Sequence, residues 1–241
     1  MRLFAIGDLH LSGHPPKKPM EIFGPRWKDH WNRIQEDWNS RVTDDDTVLI
    51  AGDTSWAMHL KDAQEDLDEI RALPGRKLII RGNHDFWWES AGKLNRMDAE
   101  NNMQYLYGTT VTLDEGRIAV CGTHGWVCPG DIHYKEERDA KPYRRELLRV
   151  ERTLQEAEKF GCEHTILLLH YPPVCDLTKP SGFTELLEKY KVPLCIFGHL
   201  HGMQPNTMFP RRYNGTLLHL VSADYRDCKL LEITFDEEEK A

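Results

Sequence analysis

The chain has no long apolar run. No stretch approaches the ~20 residues needed to cross a bilayer, and only the four residues LFAI lie between Arg2 and Gly7, too few for the core of a signal peptide. A cytoplasmic protein is expected. It also has no C-x-x-C pair. The six cysteines, Cys121, Cys128, Cys162, Cys175, Cys195 and Cys228, are scattered, and four lie in or beside apolar runs. That pattern argues against a disulfide framework and for buried free thiols in a reducing compartment. Basic charge is not in excess either: 31 Lys and Arg against 39 Asp and Glu give a net charge of −8. A dedicated nucleic-acid face is therefore not expected, although phosphate substrates stay open because bound divalent cations would dominate a local field. Repeats, low-complexity linkers and composition breaks are missing too. A single domain over 1–241 is expected, long enough to bury roughly three-quarters of its unfolded surface, with loop insertions near 11–26 and 123–141.

What the chain has is a set of short buried-type strands, each running into a donor residue. "LFAIGDLH" ends at Asp8 and His10, "VLIAGD" at Asp53, "LIIRGNHD" at Asn83, "TILLLH" at His170 and "LCIFGHLH" at His199 and His201. Strands are read near 2–7, 47–51 and 77–81, with two more carrying His170 and His199. Between them run helical patterns, through Trp27, Trp31, Ile34 and Trp38 and through Leu60, Ala63, Leu67, Ile70 and Leu73. Another helix is read after "GNHD" to about Asn101. β-rich segments follow, with "DEG" as a hairpin turn, then an irregular stretch to 141 and a helix opened by Pro142 and stopped by Gly161. The segment "TLLHLVSADYRDCKLLEITF" reads as a closing antiparallel hairpin, and "DEEEK" as a solvated terminus. Strands alternating with helices give an α/β fold with ligands gathered along one sheet edge.

Asp8 and His10 stand two residues apart, as do His199 and His201, so in extended backbone each pair would share a direction. With Asp53, Asn83 and His170 they make seven donors of carboxylate, amide and imidazole type. That is too many for one tetrahedral ion, and unlike the thiolate set of a structural zinc. Two ions bridged by a carboxylate use them sensibly. The mixture favours Mn, Fe or Zn, with manganese foremost. Gly7, Gly52, Gly82 and Gly198 would let the backbone turn sharply and leave room at the strand ends.

The ordered blocks "GDLH", "GDTSW", "GNHD", "LLLH" and "GHLH" resemble the calcineurin-like metallophosphoesterase superfamily, from Asp8 to His201. The resemblance implies a two-sheet β-sandwich flanked by helices, a four-layer αββα arrangement with a dinuclear site at strand ends. It implies that Asp8, His10 and His201 hold one metal, Asn83, His170 and His199 the other, and Asp53 bridges. His84 would contact phosphate or protonate the leaving oxygen, with Asp85 holding its ring. A phosphomonoester or phosphodiester of a small molecule would be cleaved by a hydroxide formed at the metals near neutral pH. "GDTSW" lacks the second acidic residue and the arginine of the G-D-x-x-D-R-G block of Ser/Thr protein phosphatases, which disfavours that activity. His84 stands where the lipid A-pathway pyrophosphatases carry arginine. A nuclease-like phosphodiesterase and a non-catalytic metal-binding scaffold are the other readings; no membrane or protein partner is indicated.

Several side chains stay open. Trp27, Trp31 and Trp38 are read as packing, with an aromatic substrate wall as the other choice. Trp56, Trp87 and Trp88 closely follow ligand residues and would line the cleft or the core. His124 and Trp126 open the 123–141 stretch, Lys17, Lys18 and Arg26 lie in the loop after His10, and Arg81 could face phosphate or pair internally. His14, His30, His59, His133, His164 and His219 lack ligand spacing.

Overall fold

The computed structural model describes residues 1–235 apart from 176, 178 and 206; the "DEEEK" terminus lies outside the described residues. Among the described residues eleven strands form two sheets. The first has the order β11-β1-β2-β3-β4, with β1 Leu3–Ile6, β2 Thr47–Ile50, β3 Arg76–Ile80, β4 Met103–Leu106 and β11 Leu231–Ile233. The second has the order β5-β6-β7-β8-β10-β9, with β5 Thr109–Leu113, β6 Ile118–Gly122, β7 His164–Leu168, β8 Leu194–Phe197, β9 Arg211–Tyr213 and β10 Thr216–Leu220. The central pairings are parallel in both sheets, β1 to β4 in one and β6 to β8 and β10 in the other.

Alternation along each strand divides the apolar side chains into three layers. Leu3, Ala5, Leu49, Leu78 and Ile80 point inward against Val120, Ile166, Leu168 and Ile196 of the second sheet. Phe4, Ile6, Val48, Ile50 and Ile79 point outward under Ile34 and Trp38 of α1 (His30–Arg41), Leu67 and Ile70 of α2 (Leu60–Ala72) and Leu94 of α3 (Ala91–Met97). Ala119, Cys121, Leu167, Cys195 and Phe197 carry the second sheet's outer face beneath α4 (Glu136–Phe160) and α5 (Gly182–Lys189). This is the four-layer αββα sandwich. The six cysteines are free thiols, and no helix among the described residues is long and apolar enough to cross a membrane.

Four expectations are corrected. The closing hairpin does not form, because β10 joins β8 and β9 in the second sheet while β11 joins β1 in the first. The helix after "GNHD" is only Ala91–Met97. The helix expected to open at Pro142 starts at Glu136, with Pro142 inside it. Proline removes one ladder donor and crowds the carbonyl four residues back, a cost the helix bears here, while Asp139, accepting from the Lys135 backbone N–H at 2.8 Å, fixes the first turn. Trp27 is not on the helix of Trp31 and Trp38; it ends a short 3-10 turn, Pro25–Trp27.

Candidate metal centre

Five strands, β1, β2 and β3 of one sheet and β7 and β8 of the other, end at the same rim of the sandwich. At four of the donor residues the backbone is left-handed, with φ +58° at Asp8, +48° at His10, +50° at Asp53 and +71° at His199. Such angles cost on the order of 1–3 kcal/mol each in non-glycine residues and persist only where the surroundings impose them. The extended-pair reading of Asp8 and His10 is therefore corrected. Their strand ends at Ile6, and the side chains converge through a turn held by Asp8 N–H to the Gly52 carbonyl and His10 N–H to the Asp53 carbonyl, both 2.9 Å. Two glycines permit the crowding that follows. A Cβ on Gly82 would lie 2.1 Å from Asp53 Oδ1, and one on Gly198 2.5 Å from Asp8 Oδ2.

All seven expected donors meet at this rim. His201 Nε2 lies 3.4 Å from both His10 Nε2 and Asp8 Oδ1. Asn83 Oδ1 lies 2.7 Å from His170 Nε2 and 2.8 Å from His199 Nδ1. Asp53 Oδ2 stands between the two groups, 3.8 Å from His10 Nε2 and 3.6 Å from His170 Nε2. The ligand atoms of Asp8, His10 and His201, and those of Asp8, Asp53 and His170, fall within 4.8 Å of one another.

This donor set fits cations. Burial, with the Asp8 and Asp85 charges adding, pushes the Asp53 carboxyl up to about 7. Burial holds His10 and His199 down at about 3, as the neutral imidazoles that metals require. His201 is held up at about 10: burial opposes its charge, but the Asp8 and Asp224 carboxylates outweigh it, so a proton sits where a cation would compete. The tautomers also suit ligation. The Nδ1 of His170 lies 2.9 Å from the Ala51 carbonyl, and that of His201 lies 2.9 Å from Asp224 Oδ1. A proton on each Nδ1 turns the Nε2 lone pair toward the cluster.

The His84 backbone N–H donates to Asp53 Oδ1 at 2.7 Å, and its half-buried ring leans on Trp56 with centroids 4.4 Å apart. Asp85 does not hold that ring as expected. Its Oδ1 accepts from the N–H groups of Thr54 (2.8 Å) and Ser55 (3.2 Å) and from the Trp87 indole (2.9 Å), and its Oδ2 from Gly82 N–H (2.7 Å). With its lone pairs taken up this way, Asp85 ties the β2 and β3 turns together beneath the site.

The aromatic residues divide by place. Trp56 stacks on His10 at 4.7 Å and 20°, and the buried Trp27 ring meets His10 edge-on with centroids 5.8 Å apart and is tilted against His201 with centroids 5.4 Å apart. Trp38, Trp87 and Trp88 belong to the core. On the opposite flank Tyr171 lies 4.2 Å from His199, with Trp126 beyond it at 5.8 Å. Lys18 Nζ caps the Trp56 ring at 5.1 Å. Arg26 donates to the Met203 carbonyl and to Gln204 Oε1, pinning the 11–26 loop to the loop after His201. Sequence reasoning missed Asp224, which is buried and also accepts from Gly202 N–H at 2.8 Å. The missed signal was an acidic residue just past a strand end, hidden because the segment was read as a hairpin.

Against known proteins, the model of the calcineurin-like phosphoesterase family matches residues 1–203. Over 80 residues the chain is 41% identical to the Gene 66 protein of Mycobacterium phage L5; the match covers 32% of this chain and 37% of that protein, so it spans little more than a third of the relative's length. Two solved structures share the fold. A protein of unknown function, AQ665 from Aquifex aeolicus, has a TM-score of 0.53 at 17% identity, over 96% of this chain and 95% of its own. TT1561 of Thermus thermophilus has a TM-score of 0.55 at 12% identity, over 96% of this chain and 97% of its own. With its model match over most of the chain and a donor cluster suited to metal ions, this chain belongs to the calcineurin-like phosphoesterase family of metal-dependent phosphoesterases.

Proposed function

We propose that the chain is a dinuclear phosphohydrolase that cleaves small-molecule phosphomonoesters or phosphodiesters, with two divalent ions, manganese foremost, as its cofactors. The observation that carries this is the place of Asp53, whose Oδ2 stands between His10 and His170 where one carboxylate serves both donor groups. Asp8, His10 and His201 would hold one ion, Asn83, His170 and His199 the other, with Asp53 shared. When bound, such ions lower the pKa of coordinated water and neutralise phosphoryl oxygens. The protein's own residues supply the rest. The backbone contact to Asp53 and the Trp56 face orient the His84 ring over the cluster. Burial draws His84 below its ordinary value, which suits a neutral ring donating a hydrogen bond to a phosphoryl oxygen; negative charge arriving with the substrate would raise that value, so that the ring takes up a proton from solvent and, as imidazolium, passes it to the leaving oxygen and returns to neutral. Asp85 supports this by fixing the turn on which His84 rides. Free thiols throughout suit a reducing, cytoplasmic compartment.

The test is metal analysis together with hydrolysis of p-nitrophenyl phosphate and bis(p-nitrophenyl) phosphate by manganese-loaded protein. Two ions per chain and turnover of at least one ester are expected. Two ions without hydrolysis of either would overturn the reading. His84→Ala should keep both ions and lose about 100-fold or more in turnover, whereas Asp53→Ala should lose metal.

A further inference from the structure

We propose that Arg81, with His124 beside it, forms an anion subsite on the Asn83–His170 flank of the centre, where it receives a second oxyanion of the substrate, a carboxylate or a further phosphoryl group. The proposal rests on the phosphohydrolase reading and narrows its substrate class to esters that carry an additional negative charge.

Arg81 directly follows β3 and stands two residues before Asn83. It is half-buried, its Nε is buried without a hydrogen-bond partner, and no carboxylate among the described residues pairs with it. The Glu146 carboxylate is already engaged. Glu146 accepts from Thr123 Oγ1 at 2.7 Å and from the Tyr107 hydroxyl at 3.4 Å, and it forms an ion pair with Arg149. Arg149 itself lies 4.6 Å over the Tyr107 ring.

His124 closes the other side. It is buried, its ring lies parallel to that of His170 at 5.9 Å and 2°, and its Nε2 has no hydrogen-bond partner. Arg81 and Arg149 both act on this ring. Two buried nitrogens without partners, one on a side chain two residues before Asn83 and one on a ring parallel to His170, are unfavourable unless something occupies them. A guanidinium without an acceptor is matched in geometry by a carboxylate or a phosphoryl group, which it binds through two parallel hydrogen bonds. Contact with an oxyanion would resolve the strand-end arginine that sequence alone leaves undecided.

The experiment measures binding of methyl phosphate, phosphoglycolate and methylenediphosphonate to manganese-loaded protein by calorimetry. Wild type should bind at least one of the two doubly anionic probes about tenfold tighter than methyl phosphate, and which one identifies the second group. Arg81→Gln should remove that advantage, weakening the doubly anionic probe about tenfold and methyl phosphate less than threefold. Arg81→Lys, which keeps the charge without the fork, should fall between them and guards against a folding defect in the glutamine variant. Equal weakening of all probes would place Arg81 on the scissile phosphate and overturn the subsite, as would no preference in wild type. Failure of wild type to bind any of the three, methyl phosphate included, would instead overturn the phosphohydrolase reading, and the subsite with it.

Discussion

Asp224 shows how far a single side chain reaches. It is not one of the seven converging side chains, yet its two oxygens set both the His201 ring, through Nδ1 at 2.9 Å, and the following turn, through Gly202 N–H at 2.8 Å. Such partners of ligating histidines carry 10–100-fold in metal affinity. Asp224→Asn is expected to weaken one of two manganese sites by about that factor in a calorimetric titration while the other keeps its affinity; two unchanged sites would refute this role. His201 also makes binding depend on pH. Its folded pKa is raised to about 10 by Asp8 and Asp224, so below that pH a cation must displace a proton. Manganese affinity should therefore rise with pH across 6–9, with proton release seen as a buffer-dependent heat. The convergence of the seven donor side chains was legible because a Gly-plus-donor signal at a strand end is short and local. Asp85 and Asp224 were not, since where a carboxylate sends its lone pairs depends on which turns pack against it, and those turns come from distant segments.

At the scale of elements, the buried strands were legible for a similar reason: an unbroken apolar run between polar turns has few other interpretations. Partnership was not. β10 and β11 are neighbours in sequence and read as a hairpin, yet they serve different sheets, because the Asp224 turn between them carries the chain across the sandwich. Pro142 misled in the same way, since an N-terminal turn fixed by Asp139 tolerates a missing donor a few residues on. The loop before β2 depends on one carboxylate. Asp46 accepts from Arg2 N–H (2.6 Å), Arg2 Nη2 (2.8 Å) and both Thr43 N–H and Oγ1 (2.9 Å each). Burial would raise its pKa, but these hydrogen bonds outweigh it and hold it down at about 2. A depressed folded value stabilises above the unfolded pKa near 4 and is lost as pH falls toward 2. Asp46→Asn should cost about 1–2 kcal/mol in urea unfolding at pH 7 and almost nothing at pH 2; an equal loss at both would show that the charge is irrelevant.

For the whole molecule the centre is a joint. Asp8, His10, Asp53 and Asn83 hang from the first sheet, and His170, His199 and His201 from the second, so ions bound by all seven would tie the two halves of the sandwich together. Without them Asp53 works against folding. Asp53 is buried, with its carboxyl pushed up to about 7 against an ordinary value of 3.8. A raised carboxyl leaves stability intact below pH 4 and drains it as pH climbs toward 7, because only the unfolded chain ionises freely there. For this coupled cluster the loss is roughly 2 kcal/mol. Metal-free protein should thus lose stability between pH 4 and 7, and Asp53→Asn should flatten that decline and match or exceed wild type at pH 7. Metal reverses the order. Manganese at about 100 times its Kd should add about 2.7 kcal/mol to wild type, a rise in Tm of roughly 5–10 °C for a chain of this length, and little to Asp53→Asn. Thermal melts of both proteins, with chelator and with manganese, at pH 5 and 7, provide the comparison. If metal-free Asp53→Asn were less stable than wild type at pH 7, the carboxylate would be part of the fold's own support and not a group kept at the fold's expense for the cations.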